Sequence, residues 1–179
     1  MDGLKGDLLL PGEYEYCEIR NFRCPQADLS DFIFRNCTFL HCDFSMIRVD
    51  NTTFSEVVFK ECKLTGTSLQ RCAPLLLSFR FEHCVLGMVS FFKLKLKNTG
   101  FTNCDLTDAD FAECDLTGSS FSGCNLQGTR FEQTRLEKVD FTGAQNLFLH
   151  PDLNTITGAS FTTEQALGLL VKYKIRIVG

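Results

Sequence analysis

The stretch CDLTD-ADFAE-CDLTG-SSFSG-CNLQG-TRFEQ, residues 104–133, decides the fold. Every fifth residue is Leu or Phe in strict alternation, and the residue two before it is small: Cys104, Ala109, Cys114, Ser119, Cys124 and Thr129. Neither regular element tolerates a period of five. On a helix, a five-residue step turns about 140° beyond a full circle and smears the large side chains round the axis. On a straight strand, odd steps send successive members to opposite faces. A chain that turns a corner every five residues buries them all, with one large and one small side chain pointing inward on each side. Repetition at a fixed period is the mark of a solenoid.

The same period extends in both directions from this stretch. One series steps from Leu29 through Phe34, Phe39, Phe44, Val49, Phe54, Phe59 and Leu64 to Leu69, and a second, out of phase with it, runs from Phe81 to Phe141. Val49 alone among these centres is neither Leu nor Phe. The Phe/Leu alternation requires an even number of sides per coil, so that like stacks on like, but it does not separate two sides from four. The charges do. At a separation of twenty within each register of pentads, opposite signs fall at Glu15/Arg35, Arg23/Asp43, Asp43/Lys63, Asp28/Arg48, Lys93/Glu113, Lys95/Asp115, Asp115/Arg135 and Asp110/Arg130, with no like pair. Rungs about 4.8 Å apart penalise like charges and modestly favour opposite ones, so the pattern selects a coil of four sides.

The pentads of 104–133 resemble those of the pentapeptide repeat family, whose motif is a small residue, Asp or Asn, Leu, then two polar residues. The resemblance covers 27–143 clearly and 13–26 weakly, through Tyr14, Cys17, Ile19 and Phe22. It implies an all-β fold, a right-handed quadrilateral β-helix, with a short C-terminal helix. The expected organisation is an N-terminal segment at 1–12, the β-helix over 13–143 with a register break near 70–80, and a cap and dimerisation segment at 144–179. Six and a half coils would make a rod roughly 30 Å long.

Composition narrows the remaining choices. The chain has 179 residues, 44% hydrophobic and 22% charged, with 18 Phe, 3 Tyr and no Trp, enough for one domain with a real core. A net charge of −4 argues against direct nucleic-acid binding. No apolar run approaches the roughly 18 residues of a membrane span, and the N-terminus has no basic region followed by an apolar one, so a cytoplasmic protein is expected. The ten cysteines form no CxxC pair. Cys37, Cys42, Cys62, Cys84, Cys104, Cys114 and Cys124 fall in the small inward column, Cys17 and Cys72 extend it, and only Cys24 takes a large position. They read as core filler, with no metal and no cofactor. No phosphate loop, HExxH or GxSxG occurs, so no catalytic residue is assigned and no enzyme is expected.

Two segments stand outside the pentads. QRCAPLLLSFR, around 70–80, carries Pro74 and three consecutive leucines that fit no pentad phase, and reads as a packed bulge that shifts the register rather than as a protruding contact loop. After Gly143 the pentads stop. Thr162-Thr163-Glu164-Gln165 reads as a capping-box helix start, Leu167, Leu170, Val171 and Tyr173 as an apolar stripe, and KIRIV at 174–178 as a strand. The ending LGLLVKYKIRIVG resembles that of the topoisomerase-protecting branch, Qnr-type and McbG-like, in which such a helix pairs two molecules. That likeness implies a homodimer through these four residues and a DNA-mimicking rod that binds DNA gyrase or topoisomerase IV, against quinolones or a gyrase-poisoning toxin. The carboxylates nominated for the partner are Asp105, Asp108, Asp110, Glu113 and Asp115, in a stretch without Lys or Arg. Coil register sets Glu113, Asp115 and Asp110 against Lys93, Lys95, Arg130 and Arg135, leaving Asp105 and Asp108 without cationic neighbours. The alternative is a rigid scaffold for another protein partner.

Overall fold

The computed structural model describes residues 9–176 and 178, and its chain winds as a parallel β-solenoid of about six turns. Short strands lie on two of its sides. The first side carries β1 (Glu13–Glu15), β3 (Ile33–Arg35) and β5 (Thr53–Ser55); the second carries β2 (Glu18–Arg20), β4 (Thr38–Leu40), β6 (Val57–Lys60), β7 (Phe79–Glu82), β8 (Gly100–Thr102) and β9 (Ser120–Ser122). Partners are twenty positions apart, as in Phe34↔Phe54 and Phe101↔Phe121. The other two sides are tied by single parallel bridges at the same spacing, such as Asp28↔Arg48 and Asp105↔Asn125.

The corner that makes this possible is a residue in the left-handed region. Two positions after most centres the backbone turns to positive φ, as at Asn36 (51°), His41 (54°), Asn51 (56°), Asn98 (56°) and Asp108 (57°), the exceptions including Arg71 and Gly143. Asn, Asp and Gly accept that conformation most readily. At Gly128, φ is +69°, and a Cβ there would also collide with a carboxylate oxygen of Asp108 on the coil before.

Packing follows from the corners. The Phe centres of the second side form a continuous stack, with Phe81, Phe101, Phe121 and Phe141 separated by 5.3, 5.0 and 5.3 Å and near parallel. A second stack, Phe91, Phe111 and Phe131, meets the first edge to face, as between Phe101 and Phe111 at 5.6 Å and 86°. The small column does more than leave room. Leu29 O accepts from Phe32 N–H in the turn and from Thr52 Oγ1, one coil on, at 2.6 Å. Phe111 O is shared in the same way by Cys114 N–H and Thr134 Oγ1, and Phe91 O by Leu94 N–H and the Cys114 thiol at 2.8 Å. Thr, Ser and Cys thus fill the column because each is compact and still donates to a carbonyl that faces the interior. Of the ten cysteines, eight are buried and Cys17 and Cys24 are half-buried.

The leucines of the QRCAPLLLSFR segment do not all pack as expected. Val57 pairs with Phe79, so this coil has 22 residues, and the first-side ladder ends at β5. Leu77 packs against the core, whereas Leu75 and Leu76 are 75% and 68% exposed, with Leu76 at φ 61° in the turn. The bulge therefore protrudes. Phe79 takes over the lost first-side centre from a position that is small in other coils, its ring 5.3 Å from Phe54 and buried.

The C-terminal end also departs in part. The ladder runs past Gly143, through Arg135↔Thr155 and Asp140↔Ser160, and Phe161 stacks on Phe141 at 5.4 Å. A 3-10 turn at Pro151–Leu153 interrupts the Leu/Phe pattern there, which hid these residues from the period. Helix α1 (Thr163–Leu170) starts with Thr162 as cap and Gln165 closing the capping box. No part of the strand expected at 174–178 is formed among the described residues: Lys174 turns to φ 51°, residues 175 and 176 have no ladder partner, and Ile177 lies outside the described residues.

Replacing Phe111 by Ala removes one member of an aromatic stack with no exposed surface. Chemical denaturation should show a loss of about 3–5 kcal/mol, the cost of a large cavity that stacked rungs cannot collapse to fill.

Candidate surface for a partner

The nominated carboxylates do not converge on one side. Register places Asp105 and Asp108 on the third side, Asp110 and Glu113 on the fourth, and Asp115 back on the first. Most are also occupied within their own pentads. Asp105 accepts from Thr107 N–H (3.1 Å) and Oγ1 (2.6 Å) and from Asn125 Nδ2 (3.2 Å). Asp115 accepts the same pair from Thr117 and lies 3.3 Å from Lys97 Nζ and 3.9 Å from Arg135. Asp110 accepts from Ala112 N–H and is 4.0 Å from Arg130, and Glu113 is 3.4 Å from Lys93. Asp108 alone of the five is at a left-handed corner without a cation beside it.

The charge ladder is real but re-paired in places. Asp28–Arg48, Lys93–Glu113, Asp110–Arg130 and Asp115–Arg135 form as register predicts. Arg35 instead takes Glu13 at 3.2 Å, and Lys97 replaces Lys95 at Asp115, because flanking positions on the same side are as close as the directly stacked one. All these side chains are substantially exposed apart from Asp115, so each pair contributes little to stability.

The apolar stripe at the C-terminus is exposed. No residue of α1 is buried, and Leu167, Val171 and Tyr173 are 44%, 71% and 48% accessible, with Leu170 half-buried. Leu169, which the stripe reading passed over, is the helix residue that packs on the solenoid. Gln165 Nε2 closes the last coil by donating to Phe141 O and Ala144 O, and Asp152 holds the segment through Tyr173 Oη (2.7 Å) and Lys172. Elsewhere, a depression of about 470 Å³ opens beside His41, Glu61 and His83 on the edge between the second and third sides. Buried thiols are poor nucleophiles: burial pushes Cys72 and Cys114 up to about 12.

Comparison with known proteins places this geometry. Residues 94–148 match the family model described as a pentapeptide repeat region. This is a pentapeptide repeat fold. Two trypsin-treated variants of QnrB1, a plasmid-mediated fluoroquinolone resistance protein, are similar in structure. They align over 93% of this chain and 90% and 92% of theirs, with TM-scores of 0.68 and 0.67 at 19% and 18% identity. No curated protein sequence matches the chain. No helix among the described residues is long and apolar enough to cross a membrane.

The pentad carboxylates carry a pH dependence. Hydrogen bonds from Ser30 to Asp28, and from Thr142 to Asp140, hold both carboxyls below the ordinary range. Depressed folded values give stability that is complete above the unfolded value of about 3.9 and is lost as pH falls through the folded ones. Melting temperature should stay level above about pH 5 and decline below pH 4, with a shallower decline in Asp140→Ala; an equal acid slope in that variant would contradict this origin.

Proposed function

We propose that the chain is a non-catalytic rod that docks on a protein surface normally occupied by duplex DNA, that of DNA gyrase or topoisomerase IV, in the cytoplasm. The observation that carries this reading is the extent of the structural likeness to QnrB1, which spans both chains nearly end to end. A rod bearing carboxylates at regular intervals along its outward columns fits such a seat. The charge density falls short of DNA, which carries one charge per roughly 1.7 Å, so shape and a few free carboxylates supply the recognition. The second reading, a scaffold for another protein, is favoured by the pairing of most carboxylates with neighbouring cations or hydroxyls.

Gyrase supercoiling, with and without a fluoroquinolone, tests the proposal. Restored supercoiling in the presence of the drug supports it; a protein that neither binds gyrase nor shifts drug-stabilised cleavage turns the reading to the scaffold. Asp105→Asn keeps the acceptor that Thr107 and Asn125 need, and combined with Asp108→Lys it should weaken binding several-fold while leaving the melting temperature nearly unchanged. Binding should also weaken with salt, since exposed charges are screened beyond about 10 Å at 0.1 M.

The exposed Leu167, Val171 and Tyr173, with Leu170 beside them, fit a second copy of the chain. Removal of 162–179 should convert a sedimenting dimer to a monomer of lower stability, because Gln165 and Leu169 leave with it. An intact chain that sediments as a monomer at micromolar concentration contradicts this assembly.

A further inference from the structure

The thiols of the solenoid stack in two lines, and solvent reaches only one of them. Register places Cys42, Cys62, Cys84, Cys104 and Cys124 over one another inside the third side, and Cys17 and Cys37 over one another inside the second. All five members of the long line are buried. In the short line Cys37 is buried and Cys17, on the first coil, is half-buried. Val57 follows Cys37 in the same column, so these two thiols form an isolated pair. Cys24, the other half-buried thiol, has Phe44 rather than a cysteine above it.

The ladder fixes the geometry of the pair. β2 and β4 lie with Glu18 opposite Thr38, and Thr38 N–H donates to Cys17 O at 2.9 Å, so Cys17 and Cys37 are direct neighbours. Adjacent rungs bring their Cα atoms to about 4.8 Å, inside the range of roughly 4.4–6.8 Å that a disulfide spans. The Cys37 thiol leans down toward the first coil, its sulfur 3.3 Å from Tyr14 O, while the Cys17 sulfur lies 3.3 Å from the next carbonyl, Glu15 O. Burial pushes the Cys37 thiol up, and the Cys17 thiol beside it pushes it further, as expected of two sulfurs in contact.

We propose that Cys17 and Cys37 are an oxidisable pair, which a low-molecular-weight disulfide of the glutathione class converts to a bond tying the first coil to the second. The reachable Cys17, as thiolate, attacks one sulfur of the oxidant, forming a mixed disulfide and releasing one thiol. Cys37 then attacks the Cys17 sulfur and releases the second. Two protein thiols give up two electrons and two protons, and one oxidant disulfide becomes two thiols. The long line has the same spacing but no thiol at the surface to begin the exchange, so it stays reduced. Among the described residues β2 has a strand neighbour on one side only, so the new bond secures the coil at which its ladder begins.

The test is incubation of the folded, full-length protein with oxidised glutathione, followed by alkylation under denaturing conditions and peptide mass spectrometry. The expected result is one disulfide joining Cys17 to Cys37, with the other eight of the ten cysteines alkylated. Cys37→Ser, compact enough for the column, should stop at the glutathione adduct on Cys17, and Cys17→Ser should show neither adduct nor bond. Melting temperature checks that both variants are folded. Two results overturn the proposal: an unaltered chain that keeps Cys17 and Cys37 fully alkylatable after the oxidant, or a first disulfide that forms within the Cys42–Cys124 line instead.

Discussion

The whole structure depends on a residue held at positive φ once in every five. That corner fixes the side length, the side length fixes the coil at four sides, and the coil brings residue i over residue i+20. Every other regularity follows from this alignment: aromatic rings stacked near 5 Å, thiols and hydroxyls in columns, and charges in ladders. The left-handed region costs an ordinary residue of order 1 kcal/mol, so non-glycine corners such as Tyr16, Glu56, Met88 and Lys93 are held there by the ladder bonds on either side.

The corner also explains the small inward column. Turning the chain so tightly aims the centre carbonyl at the interior, where the amide three residues on uses only one of its lone pairs. The other is met from the next coil by Thr52, Thr67, Ser119, Thr129 or Thr134, or by a thiol such as Cys62 or Cys114. Alanine at this position, as at Ala109, keeps the volume and forgoes the bond. Cysteine is abundant because it serves in a dry interior as a small apolar group with a weak donor, which needs no metal or disulfide to account for it.

The sequence made the core legible because Leu and Phe centres repeat without regard to what lies outside them. It made the outward surface legible only partly. Asp28–Arg48 and Lys93–Glu113 follow from register alone, but Glu13–Arg35 and Lys97–Asp115 depend on which flanking side chain is longer and better aimed, which no period records. Leu75 and Leu76 lie outside although apolar, because hydrophobicity implies burial only when the backbone has somewhere to put the side chain, and two surplus residues leave it nowhere inside. Phe79 was hidden for the converse reason, a large residue at a small position, filling space that the bulge vacated. The five carboxylates are close in sequence, but wound at five residues per side they spread over three sides of the rod.

The bulge at 73–78 has a mechanical meaning. In a solenoid each coil touches only the coils above and below, so cohesion is a chain of nearest-neighbour couplings rather than one shared core. Around that chain the coupling is uneven: β5 has no strand above it, and the lost first-side ring is replaced from the neighbouring side by Phe79. Three sides still cross the bulge, through the β6–β7 pairing, Lys63↔Val85 and Ser68↔Ser90, so the weakening is confined to the first side. A bend imposed by a partner would therefore open on that side, hinging about the unbroken ladder opposite it.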